Sequence, residues 1–147
     1  MWHFESNYRK IGTLKLPAFS GVRIMMLPVV LGDIKSLPEY LGHWQSAIQY
    51  LFQLAPFKQG TGYLTIDEKV VRRGTTHRRQ GLHVDGCYRN GHGAWGSIEH
   101  GMITVASHAG CKAWNQILTG WPGDEGQCEH LKDQLRDGFV FAPGDVY

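Results

Sequence analysis

The stretch from residue 63 to residue 86 reads YLTIDEKVVRRGTTHRRQGLHVDG. Its first nine residues are rich in the β-branched and aromatic side chains that strands favour. Gly74 marks a turn or a bend, after which a pair of arginines leads to Gly81 and a second extended segment. The stretch therefore predicts strands separated by a turn, and it places the chain in a β-rich fold class.

One amphipathic helix precedes this stretch. Apolar residues recur three and four positions apart, which is the spacing of one helical face; they are Leu37, Leu41, Trp44, Ile48 and Leu51. The pattern predicts a helix over residues 36–54.

The ends of this helix carry their own signals. Ser36 is a candidate N-cap, Pro38 falls inside the first turn, and Glu39 lies three residues after the cap, where a capping-box carboxylate would sit. Pro56 favours an end of the helix shortly before it.

The rest of the chain alternates short apolar runs with Gly and Pro. Strands are predicted within 11–31 and over 102–107, a loop over 110–126, a short helix over 129–135 and the start of a hairpin over 139–147. Strand-rich segments with one helix favour a sandwich or barrel decorated by that helix. We expect a single domain over residues 1–147.

Composition restricts the partners. The chain has 147 residues, 42% hydrophobic content and a formal net charge of +2, too small to predict nucleic-acid binding. No apolar run is long enough to cross a bilayer, so we expect a cytoplasmic protein that does not enter membranes. Three scattered cysteines are too few for a disulfide framework and indicate reduced thiols.

His83 and Asp85 form the pattern that carries chemistry. Residues two apart project from the same face of an extended strand, so an imidazole and a carboxylate can grip one ion there. Val84 would point the other way into packing, and Gly86 would let the chain turn. A second histidine from elsewhere would complete the facial triad of non-haem iron oxygenases.

The segment 81–86 and the later segment 143–146, Pro-Gly-Asp-Val, together resemble a known family. The chain looks like a cupin-type, double-stranded β-helix protein of the iron(II)- and 2-oxoglutarate-dependent oxygenase group. The resemblance covers about half of the chain, from Tyr63 onwards. It implies a jelly-roll core, Fe(II) held by His83 and Asp85, and 2-oxoglutarate as co-substrate.

The same resemblance implies that the core is C-terminally incomplete. In the family, a distal histidine and a basic residue that anchors 2-oxoglutarate follow the Pro-Gly-Asp turn, and here they would fall beyond Tyr147. His108 and His130 are therefore the candidates for the third metal ligand. Val146 and Tyr147 resemble the first residues of an apolar strand, and an unfinished strand would expose an edge through which two copies could form a homodimer.

Four further residues are candidates for contact with substrate or co-substrate. Arg78 and Arg79 lie close to the metal motif, and an arginine fork suits a carboxylate. On a regular strand Arg79 would share a face with His83, although a bulge at Gly81 would change this. His92 and Trp95 belong to the glycine-rich segment that follows.

Three alternatives remain open at this point. Cys111, Cys128 and His130, with Cys87, could hold zinc instead, although no Cys-x-x-Cys pair is present. The oxygenase interpretation predicts a small-molecule substrate of unknown identity. The competing interpretations are a non-catalytic cupin-like module that binds a metal or small ligand, and a protein that interacts through its strands.

Overall fold

The structure is a computed structural model that describes residues 3–85 and 102–147. Its strands are β1 (His3–Ser6), β2 (Gly12–Thr13), β3 (Arg23–Val30), β4 (Thr61–Asp67), β5 (Lys112–Ala113), β6 (Gln116–Thr119), β7 (Phe139–Val140) and β8 (Asp145–Val146). The α-helix α1 spans Gln45–Leu54, and 3₁₀ helices span Ile34–Ser36, Glu39–Trp44 and Glu129–Gln134.

The strands pair two at a time and all pairs are antiparallel. β1 pairs with β6, β2 with β8, β3 with β4, and β5 with β7. The predicted class, mainly β with α additions, is therefore confirmed. The four pairs do not form a closed barrel within the described residues, and the jelly roll stays a prediction.

The longest pair, β3 and β4, supports the main core. Ile66 of β4 packs with Leu41, Trp44 and Ile48 of the helical segment, and each of these side chains is buried. A bulge interrupts β3 at Met26, whose φ is 56° and whose N–H donates to the hydroxyl of Thr65. The bulge adds one residue to β3 while Ile24 and Leu27 still reach the core.

The helix is shorter than the apolar spacing predicts. A 3₁₀ helix over Glu39–Trp44 leads into α1, which begins at Gln45. Ser36 does not cap it, because its hydroxyl donates to the carbonyl of Asp33 and accepts from the N–H of Val30. The predicted end is confirmed, since α1 stops at Leu54 and the following residue is extended before the proline.

Several other expectations change in detail. Residues 129–135 are helical as predicted, but as a 3₁₀ helix over Glu129–Gln134. The segment 110–126, predicted as loop, contains β5 and β6, and β1 has no counterpart in the prediction. Nowhere in 3–85 or 102–147 is a helix long and apolar enough to span a membrane.

The last residues of the chain are paired along both edges, in contrast to the predicted open edge. Val146 pairs with Gly12, and its carbonyl accepts from the N–H of Ile11. Tyr147 exchanges two backbone hydrogen bonds with Thr104 on the opposite side, and Val146 is fully buried. Thr104 and Ala106, in the segment 102–107 that is predicted as a strand but is not one in the structure, make these backbone hydrogen bonds with Tyr147 and Gly144. The backbone of the last residues is therefore bonded within the chain, and the homodimer stays a prediction.

The turn before β8 has the chemistry that its sequence predicts. The N–H of Asp145 donates to the carbonyl of Ala142, with Pro143 and Gly144 at the central positions. Gly144 has φ of 74°, as the third position of a type II turn requires. The Asp145 side chain then accepts a hydrogen bond from Lys10 at 2.8 Å, which raises the pKa of Lys10.

Candidate metal site at His83 and Asp85

A short antiparallel ladder holds the segment that carries His83. The carbonyl of Leu82 accepts from the N–H of Cys128, and the N–H of Val84 donates to the carbonyl of Gly126. Between these bonds His83 forms an isolated bridge with Gln127. The extended backbone predicted for His83 is thus present as one bridge and not as a full strand.

The ladder covers a second, smaller core. Leu118, Cys128 and Leu131 are buried there, and Leu82 and Val84 pack against them. Because alternate residues of an extended segment face opposite ways, packing of Leu82 and Val84 directs His83 away from this core. The prediction that Val84 points into packing is confirmed.

His83 is held in a defined orientation. Its Nδ1 lies 2.9 Å from the carbonyl oxygen of Gly81. A carbonyl only accepts hydrogen bonds, so Nδ1 carries the proton and Nε2 has a lone pair in the neutral ring. Nε2 lies 3.7 Å from Oδ1 of Asp85, and the two side chains are 22% and 50% exposed. The structure therefore brings the two predicted ligands together.

The distance between these two atoms is longer than a facial metal site requires. Two ligands with metal bonds of about 2.1 Å lie about 3.0 Å apart when they bind at right angles, and about 4.2 Å apart only when they bind on opposite sides of the ion. At 3.7 Å, the side chains of His83 and Asp85 would approach each other by about 0.7 Å to share an ion in a facial arrangement. Histidines that bind metals usually donate their other ring N–H to a carbonyl or carboxylate. Nδ1 of His83 makes this contact with Gly81.

The candidates for a third ligand lie elsewhere. Nε2 of His130 donates to the carbonyl of Trp121 at 2.9 Å, and Nδ1 of His108 lies 3.0 Å from the hydroxyl of Ser107. Throughout 3–85 and 102–147, no group of three His, Cys, Asp or Glu side chains is arranged to hold a metal. The structure does not bring His130 or His108 to the pair, and the third ligand stays a prediction.

Among the described residues, no group of cysteine and histidine side chains is arranged to hold zinc either. Cys111 is exposed. Cys128 is buried in the small core, where its Sγ donates to the carbonyl of Gly126 at 3.3 Å. Cys87, the other cysteine considered for this site, lies outside the described residues.

Of the four residues predicted to contact substrate or co-substrate, the structure describes only Arg78 and Arg79. Arg79 donates from Nη2 to the carbonyl of Glu125 at 2.9 Å, so it helps to attach the segment before His83 to the opposite strand of the ladder. The carbonyl of Arg78 accepts from the hydroxyl of Thr76. Gly81 has φ of 87°, which interrupts the extended backbone, so a face shared by Arg79 and His83 stays a prediction. His92 and Trp95 lie outside the described residues.

Glu129 also contacts this site, although no sequence pattern predicted it. Its Oε1 accepts a hydrogen bond of 2.7 Å from the N–H of Leu82. The two residues are 47 positions apart, and no local pattern relates them. Only the pairing of Leu82 with Cys128 brings this carboxylate to the segment that carries His83.

A second polar cluster, of Ser20, His43 and Glu68, was also not predicted. The hydroxyl of Ser20 lies 2.8 Å from Nε2 of His43 and 3.0 Å from Oε2 of Glu68. The single hydroxyl proton is donated to the carboxylate, so His43 donates its own proton to the oxygen. Because Glu68 also accepts from the N–H of Val22, the cluster anchors the loop before β3 and does not activate Ser20 as a nucleophile.

Comparisons with known protein-family models, curated proteins and solved structures gave no match. The resemblance to the oxygenase group therefore depends on His83, Asp85 and the Pro143–Gly144 turn, and it stays a prediction. The geometry of the His83–Asp85 pair is the observation from which a function can be argued.

Proposed function

We propose that this chain binds a divalent, iron-type metal ion through His83 and Asp85. The observation that supports the proposal is the bond from Nδ1 of His83 to the Gly81 carbonyl, which leaves the Nε2 lone pair 3.7 Å from the Asp85 carboxylate. Half of the Asp85 side chain is exposed, so an ion from solution has access to the oxygen ligands.

A simple ion pair explains the same two residues less well. A separation of 3.7 Å is too long for a hydrogen bond, and exposed ion pairs contribute about 0–1 kcal/mol to stability. The orientation of His83 therefore gives the fold little stabilisation through Asp85. A ligand role explains the tautomer, because metal-binding histidines usually donate their other ring N–H to a carbonyl or carboxylate, as Nδ1 of His83 does to Gly81.

The finer proposal is an Fe(II)- and 2-oxoglutarate-dependent oxygenase-like protein with a jelly-roll core. When bound, the iron would activate oxygen. The contribution of the chain would be to present one nitrogen and one carboxylate ligand from the short ladder, whose residues Leu82 and Val84 pack against the small core. The alternative is a non-catalytic cupin-like module that binds a metal without 2-oxoglutarate turnover.

An anaerobic Fe(II) titration of the purified chain tests the metal site. We expect one equivalent to bind, and we expect His83→Ala and Asp85→Ala each to weaken binding by about tenfold or more, since each removes a ligand. His3→Ala and Asp124→Ala are matched controls, because both residues are exposed and lie outside the pair. Their affinity should equal that of the wild type.

The proposal would be contradicted if the wild-type protein bound no Fe(II). It would also be contradicted if all four variants lost the same amount of Fe(II) affinity. Adding 2-oxoglutarate to the loaded protein separates the two functions. A new absorption band and its loss in His83→Ala would support the oxygenase. Metal binding with no response to 2-oxoglutarate would favour the non-catalytic module.

A further inference from the structure

One peptide group connects Glu129 with His83. The carbonyl of Gly81 accepts from Nδ1 of His83 at 2.9 Å, and the N–H of Leu82 donates to Oε1 of Glu129 at 2.7 Å. The Gly81 carbonyl and the Leu82 N–H belong to the same planar peptide unit. The carboxylate and the imidazole are therefore bonded to opposite ends of one rigid, polar group.

This arrangement has an electrostatic consequence. A hydrogen bond from an N–H to a carboxylate is charge-assisted and stronger than a bond between neutral groups. Hydrogen bonds in a chain polarise one another, so the bond at the Leu82 N–H makes the Gly81 carbonyl a better acceptor. A better acceptor at Gly81 favours the proton on Nδ1 of His83 and the lone pair on Nε2.

The local backbone keeps the peptide in place. Gly81 has φ of 87°, a conformation that residues other than glycine rarely adopt, and a Cβ there would lie 3.4 Å from Oε1 of Glu129. On the other side, Glu129 follows Cys128, whose N–H donates to the Leu82 carbonyl. The peptide is thus fixed by the ladder and by the carboxylate together.

We infer that Glu129 is a positioning residue that sets the tautomer and orientation of His83 through the Gly81–Leu82 peptide. Where it concerns metal affinity, this inference rests on the proposed function. The tautomer itself is a property of the metal-free chain. Glu129 would act on His83 as the carboxylate partners of metal-bound histidines do, with a peptide group placed between them.

The first measurement is the pair of ring ¹⁵N chemical shifts of His83 in metal-free protein at about pH 8, where an ordinary imidazole is neutral. The His83 signals are assigned from their loss in His83→Ala. We expect the Nδ1–H tautomer in the wild type and a shift toward a mixture of tautomers in Glu129→Ala. Glu129→Gln should restore most of the wild-type pattern, because the amide oxygen can still accept from Leu82.

Glu125→Ala is the matched control. It removes the same charge from the same segment, but the Glu125 carboxylate contacts Gln127 and not the Gly81–Leu82 peptide. Its His83 shifts should equal those of the wild type. In Fe(II) titrations we expect Glu129→Ala to bind about tenfold more weakly than Glu125→Ala, at the low end of the loss caused by removing such outer partners.

Equal His83 shifts in Glu129→Ala, Glu125→Ala and the wild type would overturn the inference, as would failure of Glu129→Gln to recover the pattern in a folded protein. Circular dichroism and thermal unfolding establish that each variant is folded. A wild type that binds no Fe(II) but shows the expected tautomer change would refute the proposed function and leave this inference standing.

Discussion

Among single residues, Asp67 shows how charge and burial compete at the end of β4. Its side chain is only 8% exposed, and its carboxylate accepts a hydrogen bond from Nε of Arg23 at 2.8 Å, with Nε2 of His77 3.4 Å away. Burial raises the pKa of Asp67, but the hydrogen bond and charge of Arg23, with smaller contributions from His77 and Lys69, hold it below its ordinary value.

The sign of the pH dependence follows from this pKa. The pKa of Asp67 is lower in the folded state than in the unfolded state, so ionised Asp67 stabilises the fold. This contribution is fully present when the pH is above the unfolded-state pKa, and it is lost as the pH falls through the folded-state pKa. Arg23→Gln should therefore lower the free energy of unfolding by about 1 kcal/mol at pH 7. Urea unfolding between pH 7 and about pH 3 should show this difference shrinking as the pH falls.

Arg73→Gln removes the same charge at an exposed position near Gly74 and is the comparison for Arg23→Gln. Its free energy of unfolding should change by less than about 0.5 kcal/mol at every pH. The described role of Asp67 would be contradicted if the loss of unfolding free energy in Arg23→Gln did not depend on pH. It would also be contradicted if Arg73→Gln lost as much unfolding free energy as Arg23→Gln.

At the scale of elements, the ladder beneath His83 depends on a close approach at Gly126. This residue has φ of 82°, and a Cβ there would lie 2.5 Å from the backbone oxygen of Val84. Gly74 has nearly the same φ, 79°, but a Cβ there would meet nothing within 4 Å. Alanine at Gly74 would therefore cause backbone strain alone, whereas alanine at Gly126 would cause the same strain and a steric clash.

We expect Gly74→Ala to lower the free energy of unfolding by about 1 kcal/mol, which is the cost of a left-handed conformation. Gly126→Ala should cost about 3 kcal/mol, because the Val84 backbone must also move. Chemical denaturation of the two variants measures the difference. Similar losses at both positions would mean that the ladder tolerates the displacement.

The sequence predicted those elements whose signals are local. The spacing of Leu41, Trp44 and Ile48 revealed the helical face, and the residues Pro143 and Gly144 revealed a turn. The capping prediction was wrong because the hydroxyl of Ser36 bonds to Val30 and Asp33. The spacing of apolar residues in a helix gives no information about contacts with the strand before it.

The same distinction applies to the site. Alternation along an extended segment predicted that His83 and Asp85 would meet, and they are only two residues apart. Glu129 could not be predicted, because its approach to Leu82 depends on long-range strand pairing. A third ligand stays a prediction for the same reason, since the sequence positions of His108 and His130 carry no information about where the fold places them.

For the whole molecule, the central feature is that the end of the described chain lies between two earlier segments. Deleting residues 145–147 would expose the edges of β2 and of 104–106 and would remove the buried Val146 side chain. We expect the shortened chain to be less stable and to self-associate, because unpaired edges template intermolecular pairing. Sedimentation velocity over a range of concentrations measures this.

Val146→Ala provides the comparison, since it keeps every backbone hydrogen bond and removes only two buried methyl groups. It should lower the free energy of unfolding by about 2 kcal/mol without changing the sedimentation of the protein. If the chain that lacks residues 145–147 sediments as a single species, as Val146→Ala is expected to do, then the pairing of these edges does not control self-association.

The pairing of β1 with β6 and of β2 with β8 also sets an order of events during synthesis. Thr13 is separated from its partner Asp145 by 132 positions. At translation rates of about 5–20 residues per second, β2 waits roughly 7–26 seconds for β8 to be made. Contacts so distant in sequence also make folding slow. Within the nascent chain β3, α1 and β4 can assemble first, while β1 and β2 stay unpaired until their partners are made.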